Sequence, residues 1–179
     1  MSKKISVISG SLRKGSFSGS VARALIEALP QGYVGEQVEI GHLPLYNQDY
    51  DAASPQSYTD FRKQITLSDA VIFVTPEHNR SVPAALKNAL DIGSRPYGSN
   101  VWNGKPALVV SQSPGAIGGF GANHHLRQSL AFLNMPVVQQ PEAYMSQVMS
   151  LINEEGKITK PETLAFFKGL TAALAELIS

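Results

Sequence analysis

Residues 10–20, between the first predicted strand and the first predicted helix, concentrate hydroxyl and cationic side chains. Ser11, Ser16 and Ser18 carry hydroxyls, and Arg13 adds a forked cation. Because the start of a helix has unpaired N–H groups and a partial positive charge, it favours a bound phosphate. Hydroxyls and an arginine add hydrogen bonds there without a metal. The segment therefore predicts a phosphate site, and a turn capped by Ser16 or Ser18 is the alternative.

The glycine spacing of this segment argues against two common nucleotide-binding motifs. Gly10 and Gly15 have the spacing that opens a triphosphate loop, but Ser16 and Phe17 follow where that motif continues with Lys and then Ser or Thr. The sequence after the first strand also lacks the G-x-G-x-x-G fingerprint of dinucleotide binding. The ligand class that remains for this segment is a mononucleotide with a terminal phosphate.

A second candidate segment, residues 75–83, follows the most apolar predicted strand. Pro76 and Pro83 fix φ near both ends and stiffen the path. A stiff loop can hold backbone N–H groups against the edge of a planar ring. Side chains that offer hydrogen bonds, a planar face or a charge lie between the prolines, at His78, Asn79 and Arg80. The alternative is a proline-bounded turn before a helix.

The third candidate segment, residues 112–121, is rich in glycine. Because glycine has no side chain, the backbone of this segment can approach a ring closely. A plain flexible connection explains the composition nearly as well.

Short β-branched runs alternate with longer helical patterns, which is typical of strand-helix-strand units on a parallel sheet. The patterns predict five strands, at residues 5–9, 37–40, 70–75, 107–111 and 136–138. They predict five helices, at residues 18–29, 58–68, 83–92, 122–133 and 163–178. These elements fit a doubly wound, three-layer α/β sandwich. In such sheets the ligand lies beyond the carboxyl ends of the strands, where the three candidate segments meet.

Composition narrows the possible functions. The chain has 179 residues, enough for one domain with its own core. Lys and Arg total 15 against 14 Asp and Glu, so no net field draws the chain to nucleic acid or to an anionic membrane. The absence of cysteine excludes disulfides, thiolate metal sites and thiol nucleophiles. Since the sequence has neither a signal peptide nor a run of ~20 apolar residues, we expect a cytoplasmic protein.

Two longer motifs carry a resemblance to a known family. GSLRKGSF, residues 10–17, and PEHNRSVPAALKNA, residues 76–89, have the order and spacing of the NAD(P)H-dependent FMN reductase family. This family includes bacterial quinone and chromate reductases and azoreductase-like enzymes. The similarity extends over nearly the whole chain, because residues 104–106 and 125–127 fit the pattern as well.

The resemblance implies that residues 1–179 form a single flavodoxin-like domain, with strand order 2-1-3-4-5, that binds FMN non-covalently. The positions implied for the FMN phosphate are Ser11, Arg13, Ser16, Phe17 and Ser18. Those implied for the isoalloxazine ring are Pro76, Glu77, His78, Asn79 and Arg80 on one side and Ser113 and Gly115 on the other. Backbone amides of the second segment would face the N5 and O4 edge of the flavin.

The chain departs from the commonest family pattern at three of these positions. Ser18 stands where asparagine is usual, His78 where tyrosine is usual, and Arg80 where a small or aromatic residue is common. Ser18 keeps a hydrogen-bonding group, so we expect phosphate binding to survive. The changes at His78 and Arg80 are expected to affect substrate preference or redox potential, although Arg80 also fits a subunit contact or a solvated side chain.

The activity implied is a two-step reduction in which NADPH or NADH reduces the flavin and a small acceptor is then reduced. Since the cofactor carries the chemistry, we name no catalytic residue and no metal ligand. Quinones, free flavins, azo compounds and chromate all remain possible acceptors. His124 and His125 do not predict a metal site, because adjacent helical residues point in different directions.

The resemblance also implies a homodimer or a homotetramer. Arg127 and Glu142 match positions of intersubunit contacts in some relatives, with a surface ion pair as the alternative. Tyr46, Tyr50 and Trp102 either line a neighbour's site or pack under loops.

Two other functions compete with the reductase. One is a flavodoxin-like electron-transfer protein without nicotinamide turnover, and the balanced charge argues against the acidic docking face common in such proteins. The other is a nucleotide-binding or regulatory domain without flavin, since a fold alone does not decide function.

Overall fold

The structure, a computed structural model, describes residues 2–178. Five parallel strands form one sheet in the order β2-β1-β3-β4-β5. Their bounds are β1 Lys3–Ser9, β2 Tyr33–Val38, β3 Ala70–Thr75, β4 Ala107–Gln112 and β5 Ala143–Met145. The predicted fold class and strand order are confirmed.

Five helices connect or flank these strands. Their bounds are α1 Phe17–Glu27, α2 Gln56–Thr66, α3 Ala84–Gly93, α4 Phe120–Phe132 and α5 Pro161–Ile178. Short 3-10 helices are present at Gln48–Tyr50 and Val148–Leu151. Among the described residues, no helix is long and apolar enough to cross a membrane.

The core has two halves, one on each face of the sheet. In β3, Ile72 and Val74 point into the half that contains α1 and α5, whereas Val71 and Phe73 point into the half that contains α2, α3 and α4. Because side chains alternate across a strand, the unbroken apolar run from Ala70 to Val74 in β3 requires a helical layer on both faces. The predicted three-layer arrangement is confirmed.

The fifth strand was predicted in the wrong place. Residues 136–138 touch the sheet through a single bridge between Val137 and Ala107, and β5 proper pairs Ala143–Met145 with the end of β4. Pro141, between the two segments, lacks the N–H that a continuous ladder needs. The β-branched residues after Pro136 are therefore a short contact before β5.

The second strand starts earlier than predicted, at Tyr33, and it lies at the edge of the sheet as expected. Gly35 hid this start because glycine is depleted in strands. A Cβ at Gly35 would lie 2.9 Å from Ile26 and from Leu29, so helix α1 packs directly on the backbone of β2.

Trp102 belongs to the core. Its side chain is fully buried and donates a hydrogen bond through Nε1 to the carbonyl of Leu90 at 3.0 Å. Phe61 and Phe73 pack against it with ring centroids 5.9 Å away. Of the two predicted roles for Trp102, packing under loops is correct and exposure to a neighbour's site is wrong.

Candidate functional site

The carboxyl ends of β1, β3 and β4 bring the three predicted segments together. Ser9 pairs with Val74 across β1 and β3, and Thr75 pairs with Ser111 across β3 and β4. We call the segments that follow the first loop (residues 10–16), the second loop (residues 76–83) and the third loop (residues 113–119).

The first and second loops are in direct contact through Gly10. The Gly10 amide donates to the carbonyl of Val74 at 2.8 Å. A Cβ at Gly10 would lie 3.2 Å from the side chains of Pro76 and Leu86, so an added methyl group would require these side chains to shift by a few tenths of an ångström. The close approach of the two loops therefore favours glycine at this position.

The start of α1 has the properties of an anion site. Ser16 is the N-cap, and its hydroxyl oxygen accepts a hydrogen bond from the Gly19 amide at 3.1 Å. Within residues 2–178, the amides of Phe17 and Ser18 donate to no protein acceptor. Arg13 is exposed, with its guanidinium 5.2 Å from the centroid of the Phe17 ring. The capping alternative is thus correct for Ser16. Beside it lie two amides without a protein acceptor and the Arg13 guanidinium, which forms no ion pair in the described part of the chain.

A cavity of about 480 Å³ opens between the first loop and the end of β2, and Ser11 and Arg13 line it. Arg23, which lies outside the predicted phosphate segment, lines it too. Its Nη2 donates to Ser20 Oγ at 3.0 Å and to the Gly156 carbonyl at 3.2 Å. Long helical side chains point back toward the helix N-terminus, and this rule could have indicated Arg23.

The Ser18 side chain faces the protein interior. It is fully buried, and its hydroxyl oxygen accepts a hydrogen bond from Gln112 Nε2 at 2.9 Å. A phosphate contact of Ser18 would therefore use the backbone amide. The Oε1 atom of Gln112 is also buried and, in the described chain, has no hydrogen-bond partner. Because a buried acceptor normally has a hydrogen-bond partner, this oxygen at the carboxyl end of β4 could accept a hydrogen bond from a hydroxyl or N–H group of a ligand.

The second loop forms a tight two-residue turn. His78 and Ser81 exchange backbone hydrogen bonds of 3.0 and 2.9 Å. Asn79 and Arg80 between them both have positive φ, 50° and 64°, as the central residues of a type I′ turn do. No acceptor in residues 2–178 pairs with the amides of Glu77, Asn79 and Arg80. Three N–H groups of this loop are thus left without a protein acceptor in the described residues, and their contact with the edge of a planar ligand stays a prediction.

The Glu77 side chain points toward α4. Its Oε2 accepts a hydrogen bond from the Ala122 amide at 3.1 Å, and its Oε1 pairs with Arg80 Nη1 at 3.1 Å. A flavin contact of Glu77 would therefore be made by the backbone. The Arg80 side chain is 73% exposed, so its ion pair with Glu77 is partly screened.

The third loop is tied to the segment after β5. The Ser113 amide donates to Met145 and the Ser113 carbonyl accepts from Val148, both at 3.1 Å, and the Gly115 carbonyl accepts from Gln147 at 3.0 Å. Gly118 has a φ of 60°, and a Cβ there would lie 2.6 Å from the Tyr144 backbone. The glycines thus allow the third loop to pack against the backbone of residues 144–148. This loop is therefore more constrained than a plain flexible connection. A close approach to a ring stays a prediction.

The two neighbouring histidines each pair with a hydroxyl group. His124 Nε2 lies 2.9 Å from the Tyr144 hydroxyl, and His125 Nδ1 lies 3.0 Å from Ser81 Oγ. Phe120, which is half exposed, packs on His124 with a centroid distance of 4.2 Å. Burial, and then a hydrogen bond with Glu142, raise the pKa of the Tyr144 hydroxyl. The members of this aromatic patch come from two separate elements, α4 and β5, so no short sequence pattern indicates it.

Arg127 is held within its own chain. Its Nε donates to Asn123 Oδ1 at 2.9 Å, its Nη1 donates to the Val138 carbonyl at 3.0 Å, and its buried Nη2 has no partner in the part of the chain described. Arg127 and Glu142 form no ion pair within residues 2–178. The surface-pair alternative is wrong, and an intersubunit role stays a prediction.

A family model described as NADPH-dependent FMN reductase matches residues 3–150. The chain belongs to this family. The family resemblance drawn from the two motifs is therefore confirmed.

Relatives of this FMN reductase family member are similar over most of their length. A quinone reductase of Pseudomonas putida is 58% identical, covering 90% of this chain and 89% of the relative. A 2-hydroxy-1,4-benzoquinone reductase of Burkholderia sp is 44% identical, covering 94% and 92%. The solved structure of the flavoenzyme NAD(P)H:(acceptor) oxidoreductase FerB from Paracoccus denitrificans has a TM-score of 0.91 at 37% identity, covering 98% and 97%.

Membership in the FMN reductase family confirms the predicted enzyme class, an oxidoreductase, and the predicted cofactor pair, FMN with NAD(P)H. The electron-transfer alternative is not favoured, since the relatives reported above carry the names of quinone and acceptor reductases.

The residues present fit FMN. Free amides and a cation at the start of α1 suit a phosphate, and three free amides on the second loop suit the edge of a ring. The Gln112 Oε1 atom, buried and without a partner in residues 2–178, suits a donor on the ligand.

Proposed function

We propose that this chain binds FMN non-covalently and uses it to pass two electrons from NAD(P)H to small acceptors, with quinones as the first class. The observation that carries the proposal is the convergence of unpaired backbone amides at one edge of the sheet. They lie at Phe17 and Ser18 at the start of α1 and at Asn79 and Arg80 on the second loop.

The start of α1 holds the phosphate end of the cofactor. The amides of Phe17 and Ser18 donate to phosphate oxygens, and the positive end of the helix dipole favours the negative charge. Arg13 and Ser11 line the adjoining cavity and add charged and hydroxyl donors. Ser16 keeps its hydroxyl proton available while its oxygen caps the helix.

The second loop orients the ring end. Its proline-bounded turn presents the amides of Glu77, Asn79 and Arg80 without reorganisation, because the turn is already closed by the bonds between His78 and Ser81. When bound, FMN supplies hydride and two-electron chemistry, for which the chain needs no acid, base or nucleophile of its own. Ser113 and Gly115 bound the site on the opposite side.

Quinones are the proposed acceptor class because the relatives with the highest identities reported above carry the names of quinone reductases. An open flavin face also accepts free flavins, azo compounds and chromate. We propose that His78 and Arg80, at the mouth of the second loop, set the preference among acceptors and between NADPH and NADH.

We propose that the chain forms a homodimer through α3 and α4 and acts in the cytoplasm. A groove of about 600 Å³ separates these helices next to the second loop, and Leu90, Phe132 and Leu133 line it. Phe132 is 92% exposed, and Tyr97, which lines a neighbouring cavity together with Phe132, is 93% exposed. Large apolar side chains beside a groove are typical of a protein interface. Sedimentation of the wild type and of Phe132→Lys tests this interface. A wild-type dimer that dissociates in the variant supports it, and a wild-type monomer contradicts the dimer. A wild-type tetramer would show that two such dimers associate.

The proposed activity is tested with the visible spectrum of purified protein after addition of FMN. Anaerobic NADPH and NADH, added separately, should bleach the flavin bands, and a subsequent addition of benzoquinone should restore them. A colourless protein that retains no FMN on gel filtration would contradict the proposal. Bound FMN that neither NADPH nor NADH bleaches would support the electron-transfer alternative.

A further inference from the structure

Side-chain hydrogen bonds join the second loop to helix α4. Neither element needs these bonds to form its own backbone structure. We call the residues involved the α4 brace: Glu77, Ser81, Gly121, Ala122 and His125. Glu77 precedes the tight turn and accepts a hydrogen bond from the Ala122 amide, and Ser81 ends the turn and pairs with His125. Since Ala122 and His125 are about one helical turn apart, the helix holds both ends of the turn.

Glu77 supplies a helix cap that α4 itself lacks. The N-cap position of α4 is Gly119, which has left-handed backbone with φ 77° and no capping side chain. The first amides of a helix need external acceptors, and a negative charge is favourable at that end. The Glu77 side chain is only 11% exposed. Its carboxylate therefore interacts with the start of α4 with little screening by solvent.

Gly121 lets the helix and the loop approach to backbone contact. A Cβ at Gly121 would lie 2.8 Å from the Arg80 carbonyl oxygen and 3.0 Å from Glu77 Oε2. Arg80 also pairs with the other Glu77 oxygen. The turn is thus packed against α4 from the backbone as well as through side chains.

We infer that the α4 brace positions the ring-edge amides of the second loop and that Glu77 is a positioning residue whose side chain acts through this loop. The inference rests on the proposed function, because the amides concerned are those offered to the flavin ring. Asn79 and Arg80 both have positive φ, which residues with side chains rarely adopt without support from their surroundings. The brace provides that support.

The binding test compares FMN with riboflavin, which has the same ring and no phosphate. Glu77→Ala should weaken binding of both flavins by about tenfold, the loss expected for one charge-assisted hydrogen bond. It should also shift the visible absorption of bound flavin and its midpoint potential. Glu77→Gln, which keeps an acceptor oxygen, should recover most of the affinity. Arg13→Ala is the matched control, because it should weaken FMN binding and leave riboflavin binding unchanged.

Gly121→Ala tests the same brace without removing a charge. The added methyl group should push the second loop away from α4 and should reproduce the spectral shift of Glu77→Ala. If Glu77→Ala and Gly121→Ala both keep the wild-type flavin affinities, spectrum and potential, the positioning role is wrong.

Hydrogen exchange of the flavin-free protein tests the α4 brace independently of flavin binding. In Glu77→Ala, the amides of Ala122 and Ser81 should exchange faster than in wild type, while the amides of Val71–Val74 in β3 should be unchanged. Unchanged exchange at Ser81, or faster exchange throughout the sheet, would overturn the inference. If wild type binds neither flavin, the proposed function fails, and the exchange result still accepts or rejects the brace.

Discussion

Gln112, the last residue of β4, donates a hydrogen bond of 2.9 Å to the hydroxyl oxygen of Ser18 in the first turn of α1. Both side chains are buried. The bond connects the end of a central strand to the start of the helix that we propose binds phosphate. It also explains why a residue of a phosphate motif can have its side chain inside the protein.

Ser18→Ala should therefore lower stability more than FMN affinity. Loss of the hydroxyl leaves the buried Gln112 Nε2 without its acceptor, which should lower the free energy of unfolding by about 1–3 kcal/mol. Urea unfolding and an FMN titration measure the two quantities. Ser11→Ala is the matched comparison, since Ser11 is only partly buried and should lower FMN affinity more than stability. Loss of FMN affinity by Ser18→Ala without loss of stability would show that its hydroxyl contacts the ligand.

Arg13→Ala should weaken FMN binding by about 1.5–3 kcal/mol if one charge-assisted hydrogen bond to the phosphate is lost. The free energy of unfolding should change little, because Arg13 is exposed and its one side-chain hydrogen bond is long, 3.5 Å to the Lys14 carbonyl. Fluorescence quenching of FMN measures the affinity, and a repeat at high salt should narrow the difference between wild type and variant. An unchanged dissociation constant would remove Arg13 from the phosphate site.

Gly93→Ala should destabilise the core by about 1–3 kcal/mol through overpacking. A Cβ at Gly93 would overlap the ring of Trp102, which is fully buried and held by its bond to Leu90. Gly169→Ala in α5 is the matched control, since beyond its chain neighbours and the backbone of its own helix no atom of the described chain lies within 4 Å of the added Cβ. Because alanine favours a helix over glycine, this control should be about 0.5–1 kcal/mol more stable than wild type. Thermal or urea unfolding measures the free energy of unfolding of both variants. Equal changes for the two substitutions would contradict the packing of Trp102 on Gly93.

Asp69 should give the fold a pH-dependent contribution at the amino end of the sheet. The hydrogen bond from the Lys4 amide, 2.7 Å long, lowers the pKa of Asp69 below its ordinary value of 3.8 against the opposing effect of burial, and Lys3 adds to the lowering. Because the unfolded chain binds the proton at the higher pKa, this stabilisation is fully present above that value. It is lost as the pH falls through the lower pKa of the folded state.

Measurement of the free energy of unfolding from neutral to strongly acidic pH checks this contribution. Asp69→Asn should lose stability at neutral pH and should depend less steeply on pH in the acidic range than wild type. Parallel curves for the two proteins would contradict the assignment.

Elements with a clear local pattern could be predicted from the sequence, and β3 is the best example. Its six residues are all apolar or threonine and all buried, so the run itself indicates a central strand. The fifth strand could not be placed because residues 136–138 have β-branched side chains, yet they contact the sheet through one bridge. Three-residue strands carry little local signal, and the choice between two such segments depends on the course of the chain around Pro141.

In the candidate site, the loops could be predicted and the direction of individual side chains could not. The hydroxyls and the arginine of the first loop marked the start of α1 because helix ends need donors and acceptors. The Glu77 carboxylate, however, meets an amide 45 residues away in sequence. Likewise, Ser18 turns inward because Gln112, 94 residues away, offers it a donor. Such contacts depend on tertiary packing, which no short-range pattern encodes.

A crystal structure of the protein with FMN bound tests the central claim most directly. We expect the phosphate oxygens within hydrogen-bonding distance of the amides of Phe17 and Ser18 and of the Arg13 guanidinium. We also expect the N5 and O4 edge of the ring on the amides of the second loop. A phosphate bound elsewhere, or protein side chains filling the space between the first and second loops, would contradict the account.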